Sequence, residues 1–143
     1  MLDELDRAYR ETDYWVDGPV GRFAIRIDEP CPSLDELLAG DGASCWAFIT
    51  ACNPNSQRLS DEVNAIRMSH LVADVRIAGQ RFYSGEGIGR DGRWPPEPSL
   101  LILDIEEASA IELAKRYGQL AIVCGRVGAV PHLHWTGLGE PAA

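Results

Sequence analysis

Residues 45–56 constrain this chain more than any others. Cys45, Trp46, Ala47, Phe48 and Ile49 are all apolar, with no alternation between faces. A run that is apolar on both sides and rich in aromatic and branched residues reads as a strand covered on both faces, hence a central one. Residues 45–51 are therefore expected as a core strand. Its apolar character breaks at Thr50, after which Asn53, Pro54, Asn55 and Ser56 supply turn chemistry.

The flanking sequence provides partners for that strand. Residues 2–12 read as a short helix with Leu2, Leu5 and Ala8 or Tyr9 on one face. Tyr14, Trp15 and Val16 follow as a strand, with a turn at Asp17, Gly18 and Pro19. Residues 22–27 alternate with period two and place Phe23, Ile25 and Ile27 on one face. Ser33 is expected to cap a short helix over 34–39, with Glu36 completing a capping box. Ser60 is the expected N-cap of a long helix over 61–78, whose apolar stripe is Val63, Ile66, Leu71, Val72, Val75 and Ala78. Residues 81–84 form a strand, 85–98 a loop dense in Gly and Pro, and 99–105 a second apolar strand. A helix over 106–117 and a core strand over 120–124 complete the series, with a weak strand at 132–135.

From 45 to 125 the order is strand, helix, strand, strand, helix, strand. That order predicts an α+β fold, a ferredoxin-like βαββαβ plait with a mixed or antiparallel sheet and helices on one face. The N-terminal strands and helix would extend it. At 143 residues the chain suits a single domain, 1–143, with residues 137–143 as a frayed tail.

Charge excludes several function classes. The net charge is −9 at pH 7, which the phosphate backbone repels, so no nucleic acid is expected as a partner. No apolar run approaches the roughly 20 residues that cross a bilayer, so no membrane is expected either. The acidic N-terminus is the opposite of a signal peptide, and a cytoplasmic location follows as the expectation. Cys31, Cys45, Cys52 and Cys124 show no paired spacing of the zinc type.

The candidate site lies around the turn after the core strand. Thr50, Asn53 and Ser56 offer hydroxyl and amide groups, and the following helix adds Asn64 and Arg67. The downstream loop brings Trp94, Glu97 and Ser99, and Gln119 sits at a helix-to-strand turn. The alternative is structural: Asn53-Pro54 forms a turn, Asn64 ties it down, and Gln119 satisfies buried backbone. Residues 85–89, Gly-Glu-Gly-Ile-Gly, precede no helix and fail the dinucleotide context. They read as a flexible hairpin connection, or with Arg93 and Trp94 as a lid. No P-loop spacing is present. His132 and His134 would share a strand face, yet no third ligand stands beside them. No metal site and no cofactor are therefore expected.

Taken together, several blocks resemble a bacterial family known as domain of unknown function 3293. They are Tyr9-Arg10-x-Thr12-Asp13-Tyr14, residues 46–54, Asn64 with Leu71, Trp94-Pro95 through Ser99-Leu100-Leu101, and Tyr117-Gly118-Gln119-x-Ala121-Ile122-Val123. The resemblance runs from about Tyr9 to His134 and implies a bacterial origin and a single domain, but no chemistry. Where it leads one to expect an acidic pair after Trp-Pro, this chain carries only Glu97, between Pro96 and Pro98. The leading functional expectation is binding of a small polar or anionic, nucleotide-like ligand at the loop after the core strand. A non-enzymatic interaction or homodimerisation module is the alternative. A hydrolase using Cys52 or Glu97 is the weaker one.

Overall fold

The computed structural model describes residues 2–139. Its elements are α1 (Leu2–Arg10), β1 (Thr12–Gly18), β2 (Gly21–Ile25), α2 (Pro32–Asp41), β3 (Cys45–Ile49), α3 (Asp61–Ile77), β4 (Phe82–Gly89), β5 (Glu97–Leu103), α4 (Glu107–Arg116), β6 (Ala121–Arg126) and β7 (His132–Trp135). A 3-10 turn, Pro54–Ser56, lies between β3 and α3. Residues 140–143 of the expected frayed tail lie outside the described residues. No helix among those described is long and apolar enough to cross a membrane.

All seven strands form one sheet in the order β2-β1-β4-β5-β3-β6-β7, and every neighbouring pair is antiparallel. The α+β class holds. The sheet is larger than a four-stranded plait: β1 and β2 extend it beyond β4, and β7 extends it beyond β6. Apolar β3 lies between β5 and β6 and is buried along its whole length, as an uncharged run on a sheet interior must be.

The expectation of helices on one face is corrected. One core joins Ala47, Ile49, Leu100, Ile102 and Ile122 to Leu71 and Val75 of α3 and to Ala110 and Ala114 of α4. The other joins Trp46, Phe48, Leu101, Leu103 and Val123 to Leu34, Leu37 and Leu38 of α2. A central strand apolar at every position presents two greasy faces, and α2 covers the second. Two local expectations also change. Helix α2 begins two residues earlier than a Ser33 cap allows, with Pro32 as its first residue, Cys31 at the N-cap and no side-chain cap bond. In α3 the Ser60 cap forms, its hydroxyl accepting from the Val63 N–H at 3.2 Å. Val63 and Ile66, however, stand 44% and 57% exposed and Ala78 is exposed too, so only Leu71, Val72 and Val75 of the stripe pack on the sheet.

The glycine-rich stretch is strand rather than connection. Residues 85–87 pair with 14–16 of β1 on one side and with 97–99 of β5 on the other. A Cβ at Gly85 would fall well inside contact distance of the Trp15 carbonyl oxygen and lie 3.3 Å from the Phe48 ring. Glycine here buys close approach of β1 to β4, which is why a sequence that reads as flexible is held on both edges. At Gly87 the nearest atoms to a Cβ would be side-chain carbons at 3.7–4.0 Å, an ordinary packing distance. We therefore expect Gly85→Ala to cost about 2–3 kcal/mol through overpacking and Gly87→Ala less than about 1 kcal/mol, read from urea midpoints at constant slope. Equal losses at the two positions would contradict this account of the strand.

Candidate functional site

Where β3 ends, the chain turns on the Thr50 hydroxyl. It donates to the Pro98 carbonyl at 2.7 Å and accepts from the Cys52 N–H at 3.0 Å. The next carbonyls point inward, where each needs a donor. Arg67 supplies two: Nε donates to the Ala51 carbonyl and Nη2 to the Tyr117 carbonyl, both at 2.6 Å. Its guanidinium also lies 5.9 Å from the centre of the Tyr117 ring. Gln119 Nε2 donates to the Cys52 carbonyl at 2.9 Å and to that of Tyr117 at 3.2 Å. The Ala51 N–H points at Met68 Sδ, 3.3 Å away.

Asn53 is the hub. Its backbone N–H donates to Asn64 Oδ1 at 3.0 Å, and its own Oδ1 accepts from Asn64 Nδ2 at 2.9 Å and from the Leu59 N–H at 2.8 Å. Its Nδ2 donates to Glu97 Oε2 at 2.5 Å. One buried amide therefore ties the end of β3 to α3 and to β5. The backbone is held in unusual territory to do so: Asn53, Asn55 and Ser56 have φ of 49°, 56° and 58°. Left-handed conformation in non-glycine residues is costly, and three within four positions persist only where the surroundings enforce them. The Asn55 N–H is pinned to the Gly118 carbonyl at 2.8 Å, and a Cβ on Gly118 (φ 71°) would lie 2.6 Å from Pro54 Cβ.

Glu97 closes the network and differs from the rest. Burial pushes its carboxyl above the usual glutamate range, partly offset by the Asn53 donor. Burial likewise pushes Tyr9 up to about 12, with Ser56 pulling it down and the Glu97 charge adding to the rise. Tyr14 is also raised, chiefly by burial, and its hydroxyl donates to the Tyr9 carbonyl at 2.8 Å. Ser99 donates to the Glu97 carbonyl at 2.9 Å. Cys52 is buried and faces the Pro98 carbonyl at 3.7 Å; burial raises its thiol, and the Thr50 hydroxyl and the Arg67 charge offset that rise only in part.

The fold thus gathers Thr50, Asn53, Asn64, Arg67, Glu97, Ser99 and Gln119 into one network and sets Ser56 beside Tyr9. Trp94 stays apart, 42% exposed in the short segment between β4 and β5. The loop expected over 85–98, for which a lid was the alternative reading, shrinks to residues 90–96, because β4 runs to Gly89 and β5 starts at Glu97. Tyr9 and Tyr14 were missed as site neighbours; their spacing says nothing until β1 is known to lie beside β4. Two open clefts lie elsewhere. One, about 240 Å³, is lined by Cys45, Glu106, Glu107, Cys124, Arg126 and His132 among others, and the second by Leu2, Asp3, Asp6 and Trp135.

Comparison with curated proteins and with solved structures returned no match. One family model does match, over residues 49–122, which is just over half the chain and holds the end of β3, the Asn53 loop, α3, Glu97 and Gln119. On that match the chain belongs to the family described as Protein of unknown function (DUF3293).

Proposed function

We propose that the protein binds a small polar molecule at the Asn53–Glu97 centre, through loop residues 53–56. The observation that carries this reading is the cluster of left-handed residues Asn53, Asn55 and Ser56 beside a half-buried carboxyl, that of Glu97. Strain of this kind concentrates at ligand sites, and so do carboxyls with raised pKa. Arg67, the cation that would have held an anion, already donates to two carbonyls. The ligand that fits best is therefore a neutral or cationic donor-bearing molecule, such as an amide, an amine or the edge of a nucleobase, reaching Glu97 from the Tyr9 and Ser56 side.

In the same reading β3 to β6 form a ferredoxin-like plait, supported by their order β4-β5-β3-β6 and antiparallel pairing. The protein works in the bacterial cytoplasm, a placement its four free cysteines suit. A thermal-shift panel of adenosine, guanosine, glutamine and spermidine tests the binding reading. We expect at least one compound to raise the Tm of the wild type and to lose that effect in Glu97→Gln. No shift with any compound, or an undiminished shift in the variant, would overturn it.

Glu97 also makes a prediction about pH. A carboxyl whose folded pKa is raised binds its proton more tightly in the folded state. Its stabilising contribution is full below the unfolded value of about 4.3 and is lost as pH rises through the higher folded value. Glu97→Gln mimics the protonated side chain, so its stability relative to wild type should rise with pH across that window. Denaturant unfolding at pH 4 to 8 measures this, and parallel curves for the two proteins would contradict it.

A second reading is favoured by the exposed apolar side of α3. Val63 and Ile66 lie one turn apart and outside the core, where they would suit a second copy of the chain. Light scattering should then show a dimer that Val63→Glu with Ile66→Glu dissociates. A strict monomer at millimolar concentration would end this reading.

A further inference from the structure

The far end of the sheet gathers a different chemistry. Cys124 of β6 and His132 of β7 are cross-strand partners, so their side chains share a face. Ile122 and His134 are the next pair on that face. Glu107, the first residue of α4, sits above them. Cys124 Sγ lies 3.4 Å from His132 Nε2, which lies 3.4 Å from Glu107 Oε1. The three donor atoms all lie within 4.8 Å of one another. His134 Nδ1 contacts the same Glu107 oxygen.

We propose that Glu107, Cys124 and His132 form a three-ligand site for a zinc-class divalent ion, with His134 orienting Glu107. Tetrahedral zinc, with bonds of about 2.0–2.3 Å to nitrogen, oxygen and sulfur, separates its ligand atoms by about 3.3–3.6 Å. Two edges of the triangle already have that length. A thiolate, a carboxylate and a neutral imidazole balance the dication, and the donor set suits a borderline-soft metal. The ligands stand on two paired strands and the first turn of a helix, which fixes them better than loops would. A carboxylate ligand held from behind by a second side chain is the usual outer support of such a site.

The site opens on the cleft of about 240 Å³ whose wall includes Cys45, Glu106 and Arg126. The fourth position would therefore face solvent and accept water or a substrate atom, the arrangement of a catalytic site rather than a closed structural one. Arg126 Nη2 pairs with Glu106 Oε2 at 3.2 Å on the outer wall, and Cys45 Sγ lies 4.0 Å from Glu106 Oε1.

Cobalt and zinc titration of the full chain, stripped with chelator and kept reduced, tests the proposal. Cobalt should bind at about one equivalent, with a thiolate-to-cobalt band in the near ultraviolet and intense tetrahedral bands in the visible, all displaced by zinc. Cys124→Ser, shown folded by circular dichroism, should lose the thiolate band, and Cys45→Ser should keep it. His132→Ala, at a half-exposed position, should weaken binding more than 10-fold, and His134→Ala by about 10–100-fold. Absence of stoichiometric binding would overturn the proposal. So would a thiolate band that survives Cys124→Ser, or equal affinity in His132→Ala and wild type.

Discussion

The Asn53 side chain is the interaction on which the centre of this molecule depends. A buried strand that stops abruptly must hand its chain to the surface without stranding backbone groups, and the carbonyls of residues 51 and 52 still face inward. Arg67 and Gln119 satisfy those two. Asn53 then reverses the chain, its amide accepting from α3 and from the Leu59 N–H while donating to Glu97 on β5. An amide with both of its polar atoms engaged inside the protein stabilises chiefly by the cost of leaving any of them unpaired, a few kcal/mol at most per group. The left-handed backbone at Asn53, Asn55 and Ser56 is the strain that this network holds in place.

Much of this arrangement is legible in the chain itself, for physical reasons that differ by residue. Strand β3 is visible because no charge interrupts it, and the Ser60 cap because hydroxyl and first-turn carboxylates suit a helix start. The break at Thr50 marks the loop, and the structural reading of Asn64 as a tie and of Gln119 as a partner for buried backbone describes the observed bonds, whereas Asn53, read only as part of a turn, also bonds through its side chain. The side of the sheet that α2 covers is not legible, because its three leucines state only that one helix face is apolar. Residues 85–89 mislead for a related reason. Glycine signals freedom in a sequence, whereas Gly85 is used for close packing between β1 and β5.

Long-range pairing decides the remainder. His132 and His134 lack a visible third ligand because Cys124 reaches His132 only across a strand pair, and Glu107 reaches both histidines only from the start of α4. Tyr9 and Tyr14 join Glu97 through the same logic, since Tyr14 pairs with Gly87 and Gly87 with Glu97. The first polar constellation lies just beyond Ile49, whereas the second stands on the far side of β3, with Cys124 of β6 paired to Ala47 in mid-strand and to His132 of β7.

A double-mutant cycle on Asn53→Ala and Asn64→Ala, followed by urea unfolding, probes the hub most directly. Asn64 Nδ2 donates to the Asn53 side chain, Asn64 Oδ1 accepts from the Asn53 backbone N–H, and the two residues share one network, so a coupling energy of about 1–3 kcal/mol is predicted. Losses that add to within about 0.3–0.5 kcal/mol would show that the two residues act independently and would contradict the account.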